Sequence, residues 1–173
     1  ANSRPEWLAA ATAFGCWLVQ HQATNGSWPR ALQVTTVAGQ RARVSVAEPS
    51  PSATMIPVRF LVDLWKATRN ASYLTAATLS AKYAWENYGQ TGGYRGAALD
   101  SPDVIDKESA LFAMDGFLAL SEVPGLPSHS TGQDRAVSAA LVAATWHRRT
   151  NVPNPMDAMN GMDWAATDTS CGL

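Results

Sequence analysis

Residues 71–94, ASYLTAATLSAKYAWENYGQTGGY, repeat the pattern of residues 5–28, PEWLAAATAFGCWLVQHQATNGSW. At an offset of 66 positions, large aromatic residues fall on large aromatic residues, and the glycine before each loop aromatic also matches. The aligned pairs are Trp7 with Tyr73, Leu8 with Leu74, Ala10 with Ala76, Ala11 with Ala77, Trp17 with Tyr83, Gly26 with Gly92, and Trp28 with Tyr94. An ordered set of this kind indicates an internal repeat.

Apolar residues spaced by about 3.6 positions predict five helices. The predicted ranges are 5–22, 54–68, 71–88, 104–122 and 133–149. The expected buried face of the first helix consists of Trp7, Leu8, Ala11, Phe14, Leu18 and His21. Because nearly every predicted segment is helical, the sequence favours an all-α fold.

The predicted connections alternate between short and long. Arg69-Asn70 and residues 123–132 are short, whereas residues 23–53, 89–103 and 150–173 are long. Alternate connections of an up-down helical array lie on opposite ends, so the three long loops should gather on one end. Within the first, residues 32–36 and 43–47 alternate around Ala38-Gly39. This alternation predicts a small β-hairpin.

The repeat length distinguishes this array from a plain helical solenoid. Solenoid units run about 34 to 47 residues, and the excess here lies in the long loops. That pattern favours a closed ring of helical hairpins with an elaborated mouth on one end. We therefore expect residues 1–173 to form one domain, a partial (α/α) toroid with the β-hairpin in its first long loop.

Composition excludes several classes of function. The net charge is -1 and 16% of the residues are charged. This balance gives no electrostatic reason to expect a nucleic-acid or membrane partner. No zinc-ligand spacing, phosphate loop or dinucleotide fingerprint is present, so we expect neither metal nor cofactor. Cys16 lies in an apolar helical stretch and is expected to be a buried small hydrophobe, while the state of Cys171 is left open.

Three segments carry a resemblance to a known family. Residues 26–30 (GSWPR), 60–68 (FLVDLWKAT) and 102–108 (PDVIDKE) resemble segments of six-hairpin (α/α)6 glycosidase-like proteins, which include exo-β-glucuronidases. The resemblance is best over residues 59–122 and looser over almost the whole chain. It implies an extracellular or periplasmic enzyme acting on carbohydrate. Such rings hold six or seven hairpins, so it also implies a truncated or cleaved half-ring, completed by a missing segment or a second chain.

The resemblance directs attention to the acidic residues around position 105. Glycoside hydrolysis needs two carboxyl groups across the scissile bond. Asp103 and Asp106 lie within one helical turn and are the candidates for one group, and Asp163 is the candidate partner. The alternative is that Asp103 caps the fourth helix and Asp106 stabilises its first turn. Glu108 lies deeper along that helix, either in the substrate site or in an ion pair with Lys107 or an arginine.

Aromatic and basic residues recur in the long loops. Trp28, Tyr94 and Trp164 are candidates for stacking on sugar rings, and the alternative is that they pack between hairpins. Arg30 and Arg95 follow two of these aromatics and are candidates for binding a uronate carboxylate. The alternative for the arginines is an ordinary loop-bracing role.

Three functional hypotheses remain open at this stage. The first is a glycoside hydrolase with a general acid in the segment from Asp103 to Glu108. The second is a polysaccharide lyase on the same toroid, which would abstract the proton beside a uronate carboxyl group. The third is a non-catalytic carbohydrate-binding or scaffold module.

Overall fold

The computed structural model describes residues 4–29, 32–37, 40–45, 51–95, 107–126 and 133–150. Most of these residues belong to five helices, α1 (Pro5–His21), α2 (Pro51–Thr68), α3 (Ala71–Asn87), α4 (Lys107–Ser121) and α5 (Gln133–Thr150). A single-turn 3-10 helix, Gly89–Thr91, follows α3. Strands β1 (Leu32–Val37) and β2 (Gln40–Ser45) pair antiparallel between α1 and α2, with Leu32 opposite Ser45.

The mostly helical character expected from the sequence is confirmed in the part of the chain that the structure describes. α1, α3 and α5 begin at the predicted residues, and α2 begins at Pro51, three residues before the predicted start. Proline is well suited to a first turn, because the first N–H groups of a helix have no partner within it. None of the described helices is long and apolar enough to cross a membrane.

The turn between α2 and α3 is closed by two residues. Arg69 adopts a left-handed conformation with φ of 60°. Its N–H donates to the Trp65 carbonyl at 2.7 Å, which ends α2. Asn70 then caps α3, because its Oδ1 accepts hydrogen bonds from the Ser72 N–H at 3.1 Å and the Ser72 hydroxyl at 2.9 Å. The two helices therefore form an antiparallel hairpin.

α2 and α4 lie side by side and run in the same direction. Arg59 reaches Asp115 at 3.2 Å, and Lys66 reaches Glu122 at 3.1 Å. Both pairs join residues 56 positions apart, which is possible only for parallel helices. These side chains are 37–55% exposed. At such exposure each pair stabilises the fold by about 1 kcal/mol at most. The two ion pairs therefore show how the helices are aligned, but they contribute little to the stability of the fold.

The core lies between α2, α3 and α4. Gly116 of α4 faces Val58 of α2, and a Cβ atom on Gly116 would be 3.1 Å from the Val58 Cβ. The missing side chain allows the two backbones to approach closely. The largest fully buried apolar side chains are Tyr73, Tyr94, Phe117, Met55, Leu61, Leu120, Val58 and Val62. The parallel pair of helices thus forms the centre of the packed array.

The predicted buried face of α1 is wrong over its N-terminal half. Three of its six members are exposed large side chains, namely Trp7 (66%), Leu8 (46%) and Phe14 (53%). α1 packs instead through Leu18, which is buried, and Gly15, which lies against Leu64 and Tyr73. Phe14 still contacts the Phe60 ring of α2, with 5.6 Å between ring centroids, so the exposed part of the predicted face is centred on Trp7 and Leu8. Periodicity therefore identified an apolar face but not its burial.

The prediction that Cys16 is a buried small hydrophobe is also wrong. Cys16 is exposed and is not part of a disulfide within the described residues. Its Sγ lies 3.3 Å from the hydroxyl of Tyr73, and this hydrogen bond is the main cause that raises the pKa of Tyr73, followed by burial. Cys16 therefore sits at the edge of the α1–α3 contact. Cys171 lies outside the described residues.

Gly116→Val should lower the free energy of unfolding by about 1–3 kcal/mol, because the branched side chain would overlap Val58. Val58 is itself β-branched and cannot rotate out of the way. Urea denaturation followed by circular dichroism measures the change.

Ala67→Val, at an exposed position of α2, is the matched control. It should cost only the difference in helix propensity, about 0.5 kcal/mol. Equal losses in the two variants would contradict the close α2–α4 contact.

Candidate functional site

Two loop segments lie at the end of the array where α2 and α4 begin, each bonded to the first turn of one of these helices. Residues 22–29 follow α1 and precede α2 in the chain, and residues 88–95 follow α3 and precede α4. Because α2 and α4 are parallel, their first turns lie side by side. We call this end of the array, formed by residues 22–29, residues 88–95 and the first turns of α2 and α4, the mouth.

The first loop segment is held tightly on α3. Gly26 has φ of 94°, and its α-carbon packs so closely against the Leu79 backbone that no Cβ atom fits there. The side-chain amide of Gln22 donates to the carbonyls of Gly26 and Ala76, both at 2.9 Å. Glycine is required because the left-handed conformation and the close backbone approach both exclude a side chain.

Trp28 ends this segment inside the protein. Its side chain is 4% exposed, and its indole N–H donates to the Leu18 carbonyl at 2.9 Å. Its backbone N–H donates to the Thr54 hydroxyl at 3.4 Å, in the first turn of α2. Just before it, Asn25 Oδ1 accepts hydrogen bonds from the N–H and hydroxyl of Ser27. Trp28 therefore links the end of α1 to the beginning of α2.

The second segment repeats this arrangement. Gly92 has φ of 68°, and the N–H of Gly93 donates to the Tyr88 carbonyl at 2.9 Å. Tyr94 is fully buried and packs beside Gly89. In each copy, a glycine with positive φ precedes a buried aromatic residue by two positions, so the sequence repeat is a structural repeat in the loops as well.

The burial of these aromatics decides between their two interpretations. Neither Trp28 nor Tyr94 presents a ring face to solvent, so neither can stack on a sugar in this conformation. Packing between hairpins, the alternative interpretation, agrees with their positions. The reason is that both rings fill the gaps that a tight glycine turn leaves next to a helix. Trp164 lies outside the described residues.

The Tyr94 hydroxyl has no hydrogen-bond partner within the described part of the chain, although it is buried. An unpaired buried hydroxyl costs about 1–3 kcal/mol. Burial raises the pKa of Tyr94 well above its ordinary value, and the opposing effect of Arg135 is smaller. Arg135 stacks over the Trp85 ring at 4.8 Å, and burial lowers its pKa. The wall of the mouth therefore contains a neutral phenol that has no hydrogen-bond acceptor in the described ranges.

Two of the predicted site residues, Arg95 and Glu108, are connected to the first turn of α4. The Ser109 hydroxyl donates to the Arg95 carbonyl at 2.7 Å, which ties the second loop segment to α4. The Arg95 residue is exposed, and Glu108 is half-buried one residue into the helix. Arg95 is thus exposed at the mouth, and its backbone carbonyl is bonded to the residue that follows Glu108.

The carboxylates predicted to be catalytic lie outside the described residues. Asp103 and Asp106 belong to residues 96–106, and this segment leaves Arg95 and returns to α4 at the same end of the array. Arg30 directly follows the first loop segment, and Asp163 follows α5 by more than ten positions. The structure therefore brings Arg95 and Glu108 to the mouth and does not describe the remaining polar candidates.

Sequence reasoning missed three buried hydroxyl residues at the mouth. Thr54, Ser80 and Ser109 are fully buried, and the Ser80 hydroxyl donates to the Thr54 carbonyl at 2.5 Å. Together with the Trp28 and Arg95 contacts, these residues connect both loop segments to the helices. The available signal was their position: each lies on the apolar side of its helix, where a hydroxyl needs a partner.

The comparisons with known proteins give no family for the chain. No family model matches it, and no curated protein sequence matches it. Within the described ranges, no three histidine, cysteine, aspartate or glutamate side chains converge in a way that could hold a metal ion.

Gly26→Ala should lower the free energy of unfolding by about 3–4 kcal/mol, because the methyl group would overlap the Leu79 backbone and the φ angle is unfavourable. Gly125→Ala is the matched control. Gly125 has φ of 84°, and no atom of the described residues lies within 4 Å of an added Cβ. Only the conformational cost of about 1–2 kcal/mol therefore applies there. Thermal and urea unfolding compare the two. A Gly26 variant as stable as the Gly125 variant would show that the turn does not pack on α3.

Tyr94→Phe should raise the free energy of unfolding by about 1 kcal/mol at neutral pH, because it removes an unpaired buried hydroxyl. The substitution should also change the alkaline stability. Because burial raises the pKa of Tyr94 in the folded state, the folded protein keeps this proton to a higher pH than the unfolded chain does. The free energy of unfolding of the wild-type protein therefore does not change through this group below the unfolded pKa of 10.0, and it falls as the pH rises above that value.

The Tyr94→Phe variant should therefore unfold less readily in alkali than the wild-type protein. Denaturation curves between neutral pH and the alkaline limit test this expectation. A variant that is destabilised at neutral pH would contradict it.

Proposed function

We propose that this chain forms about half of an (α/α) toroid that hydrolyses a polysaccharide or oligosaccharide outside the cytoplasm. One observation carries the proposal. Two parallel helices, α2 and α4, begin side by side, and each described loop segment is bonded to the first turn of one of them. In a six-hairpin ring of the kind that the sequence resembles, these two helices would line the cavity and their N-termini would face its mouth.

The packing of the hairpins supports a ring. α3 runs antiparallel to α2 and packs along it, and Ser80 joins the two helices by a hydrogen bond. Repetition of this unit about an axis gives an inner ring of parallel helices within an outer ring of antiparallel ones. Both edges of the array carry exposed apolar residues that further hairpins would cover: Trp7 and Phe14 on α1, and Val137 and Leu141 on α5. The remainder of the ring would come from a further segment or a second chain.

The acid chemistry of this proposal belongs to residues 96–106. Asp106 is the proposed general acid and Asp103 the alternative, because the segment that holds them begins and ends at the mouth. The second carboxylate is Asp163 or a residue from the remainder of the ring. A separation of roughly 5 Å between the carboxyl groups would give retention of configuration, and roughly 6.5–9.5 Å would give inversion.

The mouth also has features that favour an anionic sugar. The first turns of α2 and α4 carry partial positive charge, which attracts a uronate carboxylate. Arg95 is exposed beside α4, and Arg30 follows the other loop segment. Each guanidinium could donate two hydrogen bonds to a carboxylate. In this proposal Trp28 and Tyr94 act as buried anchors that position the arginines, rather than as sugar-stacking platforms.

Asp106→Asn should abolish hydrolysis of uronic-acid-containing oligosaccharides by the full-length protein while leaving its unfolding curve unchanged. The loss expected for a catalytic acid is at least about a hundredfold in kcat. The measurement is the release of reducing ends across a panel of uronides and neutral oligosaccharides. Asp134→Asn, an exposed aspartate at the start of α5, is the matched control and should retain full activity.

The same assay separates the competing functions. Products with the ultraviolet absorbance of an unsaturated uronate would identify a lyase, and tight binding without turnover would identify a carbohydrate-binding module. Either result would replace the hydrolase proposal. Full activity of the Asp106 variant would remove Asp106 from the mechanism and leave Asp103 as the acid to test.

A further inference from the structure

α4 repeats α2 in the way that α3 repeats α1. At an offset of 55 positions, most of the buried residues of the two helices coincide. The coinciding pairs include Thr54 with Ser109, Met55 with Ala110, Val58 with Ala113, and Val62 with Phe117. A residue with a hydroxyl group therefore occupies the same fully buried position in the first turn of each helix at the mouth.

Both hydroxyl groups bind the backbone of the loop segment that precedes their helix. The Thr54 hydroxyl accepts from the Trp28 N–H at 3.4 Å, and the Ser109 hydroxyl donates to the Arg95 carbonyl at 2.7 Å. The bond in the second copy is the shorter one, and it falls one residue after the buried aromatic, on the exposed arginine itself. The repeated hydroxyl group thus holds a different residue of the loop in each copy.

The residue after the aromatic explains why the second copy needs this bond. At the offset of 66 that relates the loop segments, Arg95 corresponds to Pro29. A proline ring fixes φ of its own residue, whereas an arginine backbone is fixed only by its contacts. Tyr94, directly before Arg95, is fully buried, and the Ser109 hydroxyl binds the Arg95 carbonyl. The backbone is therefore held on both sides of the α-carbon that carries the guanidinium group.

We propose that Ser109 is a positioning residue for Arg95 and that its hydrogen bond sets the affinity of the mouth for an anionic sugar. This inference rests on the proposed function, in which Arg95 binds a uronate carboxylate. Two parallel hydrogen bonds form between a guanidinium and a carboxylate only when their planes are aligned. A backbone that is already fixed lowers the entropy lost when the sugar binds. Ser109 is fully buried, so it acts through Arg95 and not on the sugar.

This role predicts which kinetic constant changes in Ser109→Ala. A contact to the uronate carboxylate stabilises the bound substrate and the transition state equally, so weakening it raises KM and leaves kcat unchanged. The net contribution of one hydrogen bond corresponds to about a two- to tenfold change in an equilibrium constant. The KM for uronic-acid oligosaccharides should therefore rise by about two- to tenfold, whereas the KM for neutral oligosaccharides should stay the same.

Steady-state kinetics of the full-length protein on uronic-acid and neutral oligosaccharides test the proposal. In an Arg95→Ala background, Ser109→Ala should have no further effect on KM, because its effect passes through the guanidinium group. Hydrogen exchange at the amides of residues 88–95 should be faster in Ser109→Ala than in the wild-type protein. Thr68→Ala is the matched control, since the Thr68 hydroxyl also donates to a backbone carbonyl at 2.7 Å, that of Leu64, at the other end of α2. This control should change neither KM nor the exchange of residues 88–95.

Three kinetic outcomes would overturn the proposal. They are an unchanged KM for uronides in Ser109→Ala, an equal rise in KM for uronides and neutral sugars, and an effect of Ser109→Ala that persists in the Arg95→Ala background.

A wild-type protein that turns over no sugar would instead contradict the proposed function. Calorimetric titration of the same variants with a glucuronic-acid oligosaccharide then decides the role of Ser109. Binding that Ser109→Ala weakens and Thr68→Ala does not would support the positioning role, and the absence of binding to the wild-type protein would overturn it.

Discussion

Gly116 on α4 lies against Val58 on α2, and two ion pairs between these helices join residues 56 positions apart. This contact requires α2 and α4 to run in the same direction. Parallel helices cannot be joined by a short turn, so the chain must return along α3 and then travel to the start of α4. The antiparallel α3 is a consequence of this one contact.

The two loop segments of the mouth are held in place by side chains that are buried in the protein. Trp28 and Tyr94 are buried, and hydroxyl groups of Thr54 and Ser109 bind the backbone of the two loop segments. The Ser109 contact fixes the position at which Arg95 follows Tyr94 at the surface. In the proposed sugar site, the aromatic residues of these loops hold the backbone, and the polar groups that follow them would bind the sugar.

The sequence predicted the helices and the loop repeat well, because helical periodicity and glycine–aromatic spacing are local properties of the chain. It predicted burial poorly where the burial of a side chain depends on a neighbouring helix. Tyr73 and Trp7 occupy equivalent repeat positions, yet Tyr73 is buried and Trp7 is 66% exposed, since Tyr73 lies against α1 and no described helix covers Trp7. The Tyr94 hydroxyl, which has no hydrogen-bond partner among the described residues, was equally invisible. Asp103 and Asp106 lie outside the described residues, so their predicted roles stay predictions.

The contrast between α1 and α3 also explains why the terminal helix of such an array exposes apolar residues. Each hairpin buries one side on the hairpin before it and the other side on the hairpin after it. The apolar residues of internal repeats are therefore buried, and those of the terminal repeats are exposed. Natural repeat arrays solve this with a polar terminal repeat or by closing into a ring. α1 has neither solution within the described residues, because its edge stripe keeps the apolar residues of an internal repeat and has no charge between Glu6 and His21.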